Sequence, residues 1–372
     1  MLKTSLENLQ SIAKERTVRT QSIEYDLETL VKKIKKKTIK LDPDYQRRHR
    51  WSTDTSSRLI ESLILNIPIP IIYLSYDVDV DEEALDGEAR YSVIDGQQRL
   101  TAILNFFENQ YSLEGLDILD ALEGCYYKDL PPFLLRRLEE RTVKCLRIDS
   151  TVDPQVKYDI FERLNSGSVA LGSHELRNAV LRGPFNNLCK KLAKNDDFRI
   201  LNQISITNPE TNAKVKKMED VELVLRFFSL IEDNYKTYKK SKDNNFKDFL
   251  SEKLEDKNKL DKVAIENYSS LFVDTMKFIR VNFGNTAFAK YKELHGEYIL
   301  QSRFNAAVYD ALSVAVATEV IAKNKQITKS KSISEKFLKL FADEKFHDSV
   351  SGSILDSSKI IHRIDAAKKI FK

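Results

Sequence analysis

The sequence predicts an α+β chain in two parts, a mixed α/β half followed by an all-helical half. Three observations carry this. Glycine (10) and proline (8) are scarce among 372 residues, which argues against a loop-rich all-β protein. Strand and helix signals alternate as far as residue 185, and beyond it strand signals nearly vanish while helical periodicity continues. The length also exceeds one ordinary core, so two domains are expected, 1–185 and 186–372.

In order along the chain, Arg19–Tyr25 reads as a strand. Leu27, Leu30, Val31 and Ile34 repeat at i, i+3, i+4, i+7, which predicts a helix over 26–37 with its lysines on the other faces. Residues 54–66 form a second helix, with Ser52 or Thr53 as its cap. The run IPIPIIYLSY is a strand entered through prolines. The acidic, aperiodic segment 77–90 reads as a surface loop. Tyr91–Ile94 is a short strand and Gln97–Glu108 a helix, with Leu100, Ile103, Leu104 and Phe107 inward. Thr142–Ile148 is a strand and Pro154–Leu164 a helix. Further helices are expected near 221–231, 245–255, 261–282, 299–323, 333–342 and at the C-terminal end, where Ile360, Ile361, Ile364 and Ile370 are the apolar positions.

Composition excludes several classes. No apolar run approaches the roughly 20 residues of a membrane span, and MLKTSLENLQSIAKE lacks the apolar region of a signal peptide. Cys125, Cys145 and Cys189 have neither metal-knuckle nor redox spacing, and their odd number suits a reducing compartment. A cytoplasmic protein with no membrane contact is expected. The five histidines never sit four apart, so a zinc site is not expected. Residues 1–60 hold fourteen Lys/Arg against eight Asp/Glu. That basic stretch, with Lys359, Arg363, Lys368 and Lys369 on the outer faces of the C-terminal helix, can flank a DNA path. Solvated helix faces explain the same charges, and for Lys32–Lys37 taken alone that is the preferred reading.

The chemistry-bearing segment is YSVIDGQQRLTAI, residues 91–103: strand, tight turn, amphipathic helix. Asp95 sits where an N-cap belongs. Gly96 lets the backbone approach a ligand, and the first N–H groups of the helix favour an anion. Arg99, in the first turn, can grip a phosphate with its planar fork, and Gln97 and Gln98 add amides. The arrangement is a phosphate cradle without a Walker lysine; a capped helix with a surface arginine is the plainer alternative.

IDGQQRLTAI resembles the signature of the GmrSD-type restriction-enzyme N-terminal domain family, whose fold is ParB/sulfiredoxin-like. Two other segments resemble that family. Asp42-Pro43-Asp44-Tyr45-Gln46-Arg47-Arg48-His49-Arg50-Trp51 looks like its P-x-x-Q-R-x-x-x-W element. The run from Phe161 through Asn165, Gly167, Glu175 and Arg177 to Asn178 looks like its F-x-x-(I/L)-N-x-G…E-L-R-N element. The Asn-Ile-Pro-Ile-Pro run at 66–70 also fits. The likeness covers roughly residues 15–185.

The resemblance implies nucleoside triphosphate binding and hydrolysis coupled to restriction of foreign DNA, with Mg2+ as the accompanying ion. It assigns Asp95, Gln98, Arg99 and Glu175 to catalysis, and Gln46, Arg47, Arg50, Gly96, Gln97, Asn165 and Arg177 to nucleotide binding. Asp95 can position water or hydrated magnesium, or serve only as a cap. Trp51 can stack on a base or anchor the following helix in the core. Glu175 can be a ligand or part of a capping box; no metal-ligand set is fixed. His295, His347 and His362 lack the context of the HNH nuclease that relatives fuse, so a separate nuclease or defence effector is the expected partner. Nucleotide-gated DNA binding with little turnover is the alternative, and direct cleavage by the α/β domain ranks last because one Asp and one Glu make a poor two-metal site.

Overall fold

The computed structural model describes residues 20–41, 51–76, 91–148, 177–178, 181–239, 245–325 and 330–371. It divides into two compact units, Met1–Leu171 and Gly172–Lys372.

The first unit is mixed α/β. Its elements are β1 (Thr20–Asp26), α1 (Leu27–Lys35), β2 (Ile39–Lys40), α2 (Thr53–Ile64), β3 (Ile72–Tyr76), β4 (Tyr91–Asp95), α3 (Gln97–Phe107), α4 (Pro132–Glu139) and β5 (Thr142–Ile148). The strands form one sheet in the order β1-β5-β3-β4-β2. β1 runs antiparallel to β5, β5 parallel to β3, β3 antiparallel to β4, and β4 parallel to β2. Central strand β4 buries Tyr91 through Ile94 without alternation, the pattern of a strand covered on both faces. Edge strand β1 is mostly exposed.

Local chemistry fixes the helix ends. Asp26 Oδ1 accepts the Thr29 N–H at 2.7 Å to start α1. Ser52, one of the two expected caps, starts α2 by accepting from Thr55 N–H at 3.4 Å. α3 packs against α1 and α2, and α4 against the same two helices. Leu30, Ile60, Leu63, Leu100, Ile103, Phe106 and Leu138 are fully buried in their common core.

The second unit is helical: α5 (Pro184–Leu192), α6 (Asp196–Leu201), α7 (Ala213–Lys216), α8 (Glu219–Leu230), α9 (Phe246–Asn258) and α10 (Lys262–Phe283) precede a hairpin, β6 (Lys290–Leu294) and β7 (Glu297–Ser302). α11 (Ala306–Val316), α12 (Ser330–Lys339), α13 (Glu344–Ser349) and α14 (Ser357–Ile370) follow. The hairpin is an addition to the expected helices. It takes the first residues of the 299–323 stretch, where Glu297–Ser302 pairs antiparallel with Lys290–Leu294 across His295 and Gly296. Both turn residues have positive φ. The core is aromatic, with Phe198, Phe227, Phe228 and Phe272 in mutual edge and tilted contact.

The C-terminal helix corrects one expectation. Arg363 is fully buried, its Nη2 2.6 Å from Asp310 Oδ2. Lys368 is also buried, with Nζ 2.8 Å from Asp233 Oδ1. Neither charge faces outward: Arg363 neutralises the buried Asp310, and Lys368 pairs with the half-exposed Asp233. Among the described residues no helix is long and apolar enough to cross a membrane. The expected loop at 77–90 and helix at 154–164 lie outside the described residues.

Candidate functional site: the β4–α3 turn

β4 delivers Asp95 to the end of the sheet, and Gly96 turns the chain into α3. Gly96 adopts φ 100°, ψ 9°, a left-handed conformation that L residues adopt at a cost of about 1–2 kcal/mol. A Cβ there would stand 3.0 Å from Ile72 Cγ1 and 3.3 Å from its Cγ2. Gly96 itself is the N-cap, which moves the cap one residue beyond the Asp95 expected from sequence. Having no side chain, Gly96 cannot bond the first turn. Asp95 compensates from the strand: its Oδ1 accepts the Gly96 N–H at 2.8 Å.

Asp95 Oδ2 accepts from Arg99 Nη2 at 2.8 Å, four residues on. Arg99 Nη1 donates to the Pro70 and Ile71 carbonyls, the latter at 3.4 Å. Pro70 ends the Ile-Pro-Ile-Pro run and Ile71 follows it, just before the ladder of β3 begins at Ile72. The guanidinium is therefore committed, and Arg99 is only 8% exposed. This corrects the expectation of a free phosphate fork. Arg99 clamps the turn from behind, because its planar donors match two carbonyls and a carboxylate at once.

Gln98 faces the other way. Its Oε1 accepts the Trp51 N–H at 3.2 Å. Its buried Nε2 finds no acceptor among the described residues. That contact brings the end of the Q-R-x-x-x-W segment to the D-G-Q-Q-R turn. β2 runs parallel to β4, so Lys40 and Ser92 head toward the same end of the sheet. Trp51, 36% exposed, is not a core anchor. It stands on the rim of an open groove of about 610 Å³ whose lining includes Gln98, Thr101, Asn105, Glu108 and Tyr111.

The structure thus gathers Asp95, Gly96, Gln97, Gln98 and Arg99 at one turn, with Gln97 and Arg99 buried. Gln46, Arg47, Arg50, Asn165 and Glu175 lie outside the described residues. Arg177 is placed in the second unit. It is 1% exposed, with Nη1 2.8 Å from Glu222 Oε2, Nε 3.1 Å from Ser251 Oγ and Nη2 3.2 Å from the Lys247 carbonyl. Its donors tie α8 to α9, so the expected nucleotide contact is corrected to a structural one. Sequence reasoning missed the Pro70 and Ile71 carbonyls and the groove residues beyond Gln98. The signal for the groove was present in the helical spacing of Gln98, Thr101, Ala102 and Asn105.

Asp95 is the one titratable group of the turn able to help hold a cation. Its side chain is 37% exposed, and each oxygen makes one hydrogen bond, leaving lone pairs free. Magnesium takes one or two carboxylates and keeps waters and substrate phosphates as its other ligands, so the single Asp95 carboxylate is enough to help hold it. Among the described residues no group of three or more His, Cys, Asp or Glu gathers.

Residues 27–182 match the family model described as the GmrSD restriction endonuclease, N-terminal domain. The chain matches no curated protein and no solved structure.

Proposed function

From a chain whose residues 27–182 carry a GmrSD-type N-terminal domain, we propose a component of a restriction system that binds a nucleoside triphosphate at the β4–α3 turn and hydrolyses it. One observation carries the reading: a left-handed glycine opens an eleven-residue helix without a side-chain cap. The positive field of such a helix start suits phosphate oxygens.

Each residue of the turn has a part. Gly96 allows close approach. The backbone N–H groups of Gln98 and Arg99 contact phosphate oxygens. Arg99 fixes the turn against Pro70 and Ile71 and orients Asp95. Asp95 orients the attacking water or holds hydrated Mg2+, which supplies charge neutralisation on the phosphates when bound. Gln46, Arg47, Arg50, Asn165 and Glu175 complete the proposed site from the neighbouring segments.

A second reading, nucleotide-gated binding with little turnover, draws on one feature. Both Asp95 oxygens already accept hydrogen bonds, one of them from the Arg99 guanidinium, which suits the carboxylate to holding the turn in shape. In either reading DNA and a separate effector are the proposed partners. Calorimetric titration of the chain with nucleoside triphosphates and Mg2+ tests nucleotide binding. Arg99→Ala, which frees the turn from its clamp, should weaken affinity about tenfold. Unchanged affinity in a folded variant would remove the turn from the site.

A further inference from the structure

The groove beside the turn has a direction. Gln98, Thr101, Ala102 and Asn105 recur at i, i+3, i+4, i+7, with Glu108 a further turn on, so they form one stripe along α3. From Gln98 to Glu108 the helix rises about 15 Å. Ala102 keeps the floor low at its middle. Tyr111 forms a fixed wall, its hydroxyl donating to the Ala102 carbonyl at 3.1 Å. The space, about 610 Å³, is that of a small-molecule site.

The chemistry of the lining is specific. Amides, hydroxyls and two aromatic rings line it, with Glu108 the one charged side chain among the described lining residues. The one charge, Glu108, is offset by Lys35 at 3.4 Å. A neutral body rich in hydroxyls and ring nitrogens would find hydrogen-bond partners throughout. The Trp51 N–H donates to Gln98 Oε1 and so holds that amide in one orientation beside the groove.

We propose, building on the nucleotide reading above, that the nucleoside end of the bound nucleotide lies along the outer face of α3. The phosphates sit at the helix N-terminus, the ribose crosses Thr101 and Ala102, and the base rests between Trp51 and Tyr111 with its polar edge toward Asn105 and Glu108. The groove thereby turns a general phosphate site into one that selects nucleotides over inorganic phosphates.

The test compares tripolyphosphate with a non-hydrolysable nucleoside triphosphate, both with Mg2+, by calorimetry on the full chain. The wild type should bind the nucleotide analogue at least about tenfold more tightly. Asn105→Trp, which fills the groove, should abolish that preference while leaving tripolyphosphate affinity in place. If that variant fails to fold, the double variant Asn105→Ala, Glu108→Ala should shrink the preference in the same direction. Equal affinity for the two ligands in the wild type, or a preference unchanged by the groove variants, would overturn the inference and leave the phosphate site standing. No binding of either ligand would overturn both.

Discussion

Gly96 is the residue on which the turn depends. Its φ of 100° strains any side chain, and a Cβ would crowd Ile72 Cγ1 at 3.0 Å. Gly96→Ala should destabilise the first unit by about 1–3 kcal/mol, read from the midpoint of denaturant unfolding. A change within ±0.5 kcal/mol would show that the turn relaxes freely. At this scale the sequence was partly legible. The D-G pair between an apolar strand and an apolar helix pointed to the turn, and Ser52 to the start of α2. The partners of Arg99 were not legible. Its acceptors are carbonyls of Pro70 and Ile71, nearly thirty residues back, and a main-chain acceptor has no side-chain signature. The same limit applies to Arg177, whose motif position suggested a ligand contact while its partners lie more than forty residues ahead.

Single elements show how a helix supports the site from outside it. Glu61, on α2, is 5% exposed and faces the segment after α3. Its Oε1 accepts the N–H groups of Ile118 and Leu119 at 2.7 Å each, and Oε2 accepts that of Asp117 at 3.2 Å. Burial alone would raise its pKa, but the three backbone bonds outweigh burial and hold the carboxyl below its ordinary value of 4.5. A carboxylate with a lowered folded pKa stabilises fully above the unfolded value, and that stability drains away as pH falls through the folded one. The first unit should therefore lose stability as pH drops below about 4.5. Glu61→Gln, which turns an N–H toward an N–H donor, should lower stability at pH 7 and flatten that slope; thermal melts from pH 3 to 7 read both. An unaltered slope would assign the acid sensitivity elsewhere. Elements with long periodic faces, α1 and α3 among them, were legible because 3.6-residue repeats survive in sequence. β2 was not, being two residues held only by β4, nor was eight-residue α4, too short for its repeat to stand out.

At the scale of the whole molecule, the two units hold themselves together differently. The first has a β-sheet and an aliphatic core. The second has an aromatic core crossed by a buried charge cluster, in which Asp310 accepts from Arg226 Nε at 2.5 Å, Arg226 Nη2 at 2.6 Å and Arg363 Nη2 at 2.6 Å. Removing the carboxylate would strand two buried guanidinium groups. Asp310→Ala should cost about 3–5 kcal/mol and lower the unfolding transition of the helical unit selectively. A shift shared equally by both units would contradict this. Composition could not reveal the cluster, since Arg363 looks like any basic residue of a C-terminal helix. That is also why a DNA path along that helix looked available until its partners were seen.

The central claim is that the β4–α3 turn handles a nucleoside triphosphate. The direct measurement is release of inorganic phosphate from each nucleoside triphosphate by the full chain with Mg2+, for the wild type and for Asp95→Asn. That substitution retains an acceptor for the Gly96 N–H but removes the charge. The account predicts release above the uncatalysed background and at least a tenfold fall, about 1.4 kcal/mol, in the variant. Turnover that persists undiminished in a folded Asp95→Asn protein would contradict it, as would the absence of both nucleotide binding and phosphate release in the wild type.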